Sequence, residues 1–271
     1  ELKRVFSWLA IGPAASNFLG PVLAGLLIDH AGVWLGGVAA DDTGFRAAFL
    51  FTALLPWATW LWVRRTVELP PVQPDATAGQ RNVWQLLREP LMRRLLLVNW
   101  LLSSCWDVHT FVVPVLGHER ALSASVIGTI LGLFALAAAG VRVALPVLAR
   151  GLHEWQVVSG AMLATALLFA VYPFLTTAWS MGVCSMLLGL VLGSVQPMLM
   201  STLHQITPHH LHGQAIGLRL ASLNLSSVLM PMLFGTAGAV VGVSVVFWTV
   251  GAAVGAGARW AWLLRPGRTP G

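Results

Sequence analysis

Residues 95–116 read LLLVNWLLSSCWDVHTFVVPVL, 22 residues with one acid among them. As a helix this run rises about 33 Å at about 1.5 Å per residue, enough to cross a hydrocarbon core about 30 Å thick. Similar apolar runs lie on both sides of it, at residues 7–28, 47–63, 126–149, 157–174, 178–203, 214–241 and 243–264. The pattern predicts an all-α integral membrane protein with eight transmembrane helices. Closed β-barrels also satisfy their backbone in lipid, but their strands need short alternating patterns that this sequence lacks.

Composition agrees with a bilayer as the solvent. The chain of 271 residues is 57% hydrophobic and 10% charged, against about 25% charged in soluble domains. Its net charge of +6 does not point to nucleic acid, because the arginines fall in the breaks between apolar runs. Of the 16 Lys and Arg residues, only Arg46 and Arg120 fall on one side of the predicted threading. The others, among them Lys3, Arg64, Arg93, Arg150 and Arg265, fall at or near the opposite side. The positive-inside rule places that side, with both chain ends, in the cytoplasm of a plasma or bacterial inner membrane. Tryptophans such as Trp60, Trp100, Trp155 and Trp179 lie near span ends, where an amphipathic ring suits the headgroups. Cys105 and Cys184 both lie inside apolar runs and read as packing residues.

The segment 64–94 is the one long break. It begins with Pro70, Pro71 and Pro74, then from Arg81 to Arg94 sets Val83, Trp84, Leu86 and Leu87 among Gln and Arg, as a helix on a membrane surface does. It divides the chain into residues 1–63, with two spans, and residues 95–271, with six. Shifting the chain by 210 residues aligns Ser16, Leu19, Pro21, Leu23, Gly25 and Gly32 with Ser226, Leu229, Pro231, Leu233, Gly235 and Gly242. The last two spans thus repeat the first two.

Two equivalent bundles joined by a basic linker resemble the major facilitator superfamily. On that resemblance the eight spans are family helices 5 through 12, helices 1 through 4 are unaccounted for, and the chain, which starts at Glu1, is expected to be a fragment. Ser7, Ser16, Gly20, Pro21, Ala24 and Gly25 are similar to the family's helix-5 antiporter motif, with Ser7, Ser16 and Ala24 in place of glycines. The resemblance implies alternating-access transport of a small organic solute, coupled to protons as efflux. A solute importer or uniporter of the same fold is the alternative, and an intramembrane enzyme built on Asp107 and the histidines is the rival of another class.

The residues expected to line the transport path come from polar groups inside spans. Asn99, Ser103 and Asp107 recur every four residues and share one helical face, with His109 turned about 200° from Asp107. An ionisable group at mid-membrane costs at least about 2.5 kcal/mol, so it faces a cavity or a partner. Arg142 and Gln196 lie at similar depth and form a second candidate patch, with Asn224 and Asn17 as further cavity-facing candidates. Ser16, Gly20 and Ala24, with Pro21 and Gly25, form a small-residue face for close helix packing, and Gly128, Gly132 and Gly140 a matching stripe. His204, His209, His210 and His212 crowd a short loop, but Pro208 and their spacing do not fit a helical zinc motif. No cofactor or metal site is expected, and the partners are the lipid bilayer, a small-molecule substrate and protons.

The orientation is checked by accessibility labelling. A cysteine placed at Gly79 in the linker is expected to react with a membrane-impermeant maleimide from the cytoplasmic side alone, and labelling from outside would reverse the threading.

Overall fold

The computed structural model describes residues 2–34, 42–66, 83–148 and 151–265. The linker prolines Pro70, Pro71 and Pro74, with Gly79, Arg81, Arg150 and Arg268, lie outside the described residues. Nine α-helices are described: α1 (Leu2–Trp34), α2 (Thr43–Val63), α3 (Val83–Arg88), α4 (Pro90–Glu119), α5 (Ala124–Leu148), α6 (Glu154–Val171), α7 (Ala178–Ile206), α8 (His212–Val241) and α9 (Val243–Trp262). No strand occurs among them. Seven are long and apolar enough to cross a membrane within the described residues. The eighth long helix, α1, has 33 residues, about 50 Å of helix. The chain is a multi-pass membrane protein.

Most helices extend a few residues beyond the predicted apolar runs, because a helix continues through the headgroup region after its apolar stretch ends. The segment from Arg81 to Arg94 is not one surface helix. It breaks at Glu89, whose backbone is extended (φ −70°, ψ 120°) because Pro90 follows it. Pro90 then opens α4 at a position where its missing N–H costs nothing. Leu86 on α3 is buried. The turn from α8 to α9 is a single residue, Gly242, at φ 86°, a conformation that glycine adopts freely.

Lipid is as apolar as leucine, so helices in it associate by close packing rather than by a hydrophobic drive. The α1–α5 contact shows how close: a Cβ added to Gly25 would strike the Ala124 carbonyl, and one added to Gly128 would strike the Pro21 carbonyl. At the same end, the Asp29 carboxylate accepts hydrogen bonds from the backbone N–H groups of Ala124 (3.1 Å) and Ser125 (2.7 Å), so a side chain of α1 caps α5. Of the expected packing face of Ser16, Gly20, Pro21, Ala24 and Gly25, only part forms this seam. A Cβ on Gly20 meets nothing described within 4 Å, and Ser16 is exposed and donates to the Gly12 carbonyl. The approach is made by Pro21 and Gly25, one position further round the helix. Gly140, at the far end of the α5 stripe, likewise meets nothing described within 4 Å.

The repeated residues on α8 behave differently. Where Gly25 is buried against α5, its repeat partner Gly235 is exposed and meets nothing described within 4 Å. The interior lies among α4 to α9 and includes an aromatic chain: Trp106 stands edge-on to Phe134 at 4.6 Å, Tyr172 stacks on Phe247 at 4.9 Å, and Phe247 meets Phe169 edge-on at 5.3 Å.

Three substitutions test this seam in a thermal melt of the purified protein. Gly128→Leu is expected to destabilise by about 1–3 kcal/mol, because the obstruction is backbone, while Gly20→Leu leaves the melting temperature in place. Asp29→Ala is expected to cost about 1 kcal/mol, as loss of a helix cap does.

Candidate functional site in the seam between α4 and α8

The polar stripe on α4 is satisfied chiefly by α8. The two helices run side by side in the same direction, and their polar groups meet in two rungs. In the first, the Arg219 Nε donates to Asn99 Oδ1 at 3.1 Å, while its Nη2 donates to the Gln196 Oε1 of α7. In the second, Asp107 accepts from Ser226 Oγ at 2.8 Å and from Ser227 Oγ at 3.3 Å. Asn99 and Asp107 are eight residues apart, so the rungs are separated by about 12 Å along α4. Between them, Ser104 bonds to the Trp100 carbonyl at 2.8 Å and to Ser226 at 3.3 Å.

Both rungs run between uncharged and charged groups rather than between opposite charges. Asp107, half-buried, has only hydroxyl partners among the described residues. A serine hydroxyl donates to a carboxylate and accepts from a carboxylic acid. Asp107 therefore keeps its hydrogen bonds in either protonation state, which a fixed cation beside it would not allow. Arg219 is 6% exposed, and its partners are two neutral amides.

The structure brings some predicted residues together and separates others. Asn99, Asp107 and Gln196 join the seam. Ser103 is buried, but it is the adjacent Ser104 that reaches α8. Arg142 and Gln196 do not bond to each other. The Arg142 Nε reaches the Gly193 carbonyl of α7 at 3.4 Å, and its guanidinium lies 5.8 Å from the Trp106 ring centre. His109 points away from Asp107 into the interior, where its Nε2 meets Ser185 Oγ at 2.9 Å and its ring stacks on Phe134 at 4.0 Å. Ser185 bonds in turn to the Tyr172 hydroxyl at 2.8 Å. Asn17 and Asn224 are exposed and do not join the network among the described residues.

Arg219, Ser226 and Ser227 were not singled out as site residues from the sequence. Arg219 stands seven residues into α8, deep enough to signal a role beyond topology. Ser226 is one of the residues in the internal repeat. In the histidine loop, His204 and His212 approach at 3.3 Å between Nδ1 atoms, and His212 Nε2 reaches the Thr207 carbonyl at 2.8 Å. Among the described residues no group of three or more His, Cys, Asp or Glu is arranged to hold a metal. A hollow of about 310 Å³ lined by Val141, Gly160, Leu190 and Ser194 contains none of the seam side chains. That hollow is therefore not the place where the polar side chains gather.

The Major Facilitator Superfamily model matches residues 1–219. The chain belongs to this superfamily. It is 24% identical over 272 residues to the multidrug resistance protein MdtG of Dickeya zeae (strain Ech586), a match that covers 97% of this chain and 64% of that protein. MdtG of Enterobacter lignolyticus (strain SCF1) is also 24% identical, over 256 residues, covering 91% of this chain and 59% of the relative. The chain thus spans about three fifths of the length of the curated relatives it matches.

Proposed function

We propose that this superfamily member transports a small organic solute by alternating access, as efflux driven by proton entry, with Asp107 as its proton-exchanging group. The observation that carries the proposal is the second rung: a single acid within a membrane span, held by two hydroxyls and no cation among the described residues. Such a group takes up and releases a proton without dismantling its surroundings, and intramembrane acids of this kind mark proton relays. The name of the relatives supports efflux over import and over enzymatic chemistry. In this proposal residues 1–63 and 95–271 belong to two bundles, the linker 64–94 and both chain ends face the cytoplasm, and the α4–α8 seam borders the path between the bundles.

A coupling cycle follows from this placement. Protonation from the outer side neutralises Asp107, and the neutral acid passes through the low-dielectric occluded state at less cost than the carboxylate. The bundles then rock, and release of the proton to the cytoplasm restores the charge. Asp107→Asn keeps size and hydrogen bonding while removing the titration. In full-length protein reconstituted into liposomes, this variant is expected to lose accumulation driven by a pH gradient while retaining solute exchange. Accumulation by the Asn variant at the original rate would refute the assignment.

A further inference from the structure

We infer that Arg219 and the side-chain amide of Asn99 form a subsite for the anionic group of the transported solute. The inference rests on the transport proposal and adds a substrate class to it. A guanidinium removed from water ordinarily pairs with an acid, because an uncompensated charge in low dielectric is costly. Arg219 is 6% exposed, yet among the described residues it makes no ion pair. Its Nε and Nη2 donate to Asn99 Oδ1 and Gln196 Oε1. Its Nη1 has no partner there.

Asn99 supplies an independent observation. Its side-chain oxygen is taken by Arg219, which leaves Nδ2 as the other end of the same amide, and that nitrogen is buried without a hydrogen-bond partner. One residue pair thus holds two unused donors, one of them cationic. What would satisfy both is an acceptor carrying negative charge. A carboxylate suits the pair, since its two oxygens accept from separate N–H groups and charge-assisted bonds are the strong ones.

The surroundings favour the same ligand. Arg142 is anchored on the Gly193 carbonyl, three residues before Gln196 on α7, so two guanidinium groups are tied to one turn of the same helix. The acid on α4, Asp107, is two turns away and already held by Ser226 and Ser227. The local excess of positive charge would attract an anion, and it would disfavour a cationic solute at this point.

The test uses the purified protein in nanodiscs of phosphatidylcholine and three probes sharing one ring system: 2-naphthoate, 2-naphthamide and 2-naphthylmethylamine. Naphthoate alone is expected to raise the melting temperature. Arg219→Gln should weaken its apparent affinity about tenfold or more, the weight of one charged hydrogen bond, and Arg219→Lys should retain part of the response. Asn99→Asp places a fixed carboxylate beside Arg219. It should raise the melting temperature without any probe and abolish the naphthoate response, and it decides the matter if Arg219→Gln does not fold. Equal responses to all three probes, or a naphthoate response that survives in Asn99→Asp, would overturn the subsite. A shift produced by added phosphatidylglycerol in place of naphthoate would assign the donors to a lipid headgroup and also overturn it. The transport proposal fails separately: loss of the naphthoate effect with Asp107-dependent flux intact removes only the subsite, while Asp107-independent flux with the naphthoate effect intact removes only the proton coupling.

Discussion

A polar side chain inside a bilayer has no water to turn to, so its partner must come from the protein, and this requirement ties α4 to α8. Asn99 reaches Arg219, Ser104 reaches Ser226, and Asp107 reaches Ser226 and Ser227. These bonds fix the rotation of both helices about their axes, because turning either by one residue would leave several buried groups unpaired at about 1–3 kcal/mol each. The apolar contacts around the seam are interchangeable by comparison. The choice of partners also has a chemical consequence, since hydroxyls tolerate both states of Asp107 and, among the described residues, Arg219 meets amides rather than an acid.

The α1–α5 contact is held by a different device. Gly25 and Gly128 let backbone meet backbone near the Asp29 end, and the Asp29 carboxylate caps the first N–H groups of α5. Further along, a Cβ added to Gly12 or Gly140 would meet nothing described within 4 Å. Among the described residues the backbone-to-backbone approach of α1 and α5 thus lies toward the Asp29 end.

The helices were legible from the sequence because apolar length is a one-dimensional property, and the breaks between them fall at polar, Pro and Gly positions. The α4 stripe was legible for the same reason, since a spacing of four defines a face. What faces it was not, because partner choice between α4 and α8 spans more than a hundred residues and leaves no periodic trace. In the sequence Arg219 falls among the topology charges although it sits within α8, and only the packing shows its burial. Spacing does not decide which of Ser16, Gly20, Pro21, Ala24 and Gly25 meet α5, because neighbouring faces of one helix offer similar four-residue spacings; the packing shows Pro21 and Gly25 doing so. Pro90 marked the break before α4, but the amphipathic pattern running through it masked the signal. His109 was offset from Asp107 by its position in the helix, and its burial against Phe134 and Ser185 follows from that offset.

The most direct test of the account is whether Asp107 exchanges a proton within the membrane. Infrared difference spectroscopy of the protein in liposomes, recorded as external pH is lowered, isolates the carbonyl stretch of a protonated carboxylic acid from that of an ionised one. The account predicts such a band in the native protein, shifted in frequency by Ser226→Ala, which removes one of its hydrogen bonds, and missing in Asp107→Asn. A spectrum without that band, or one in which it persists unchanged in Asp107→Asn, would contradict the account.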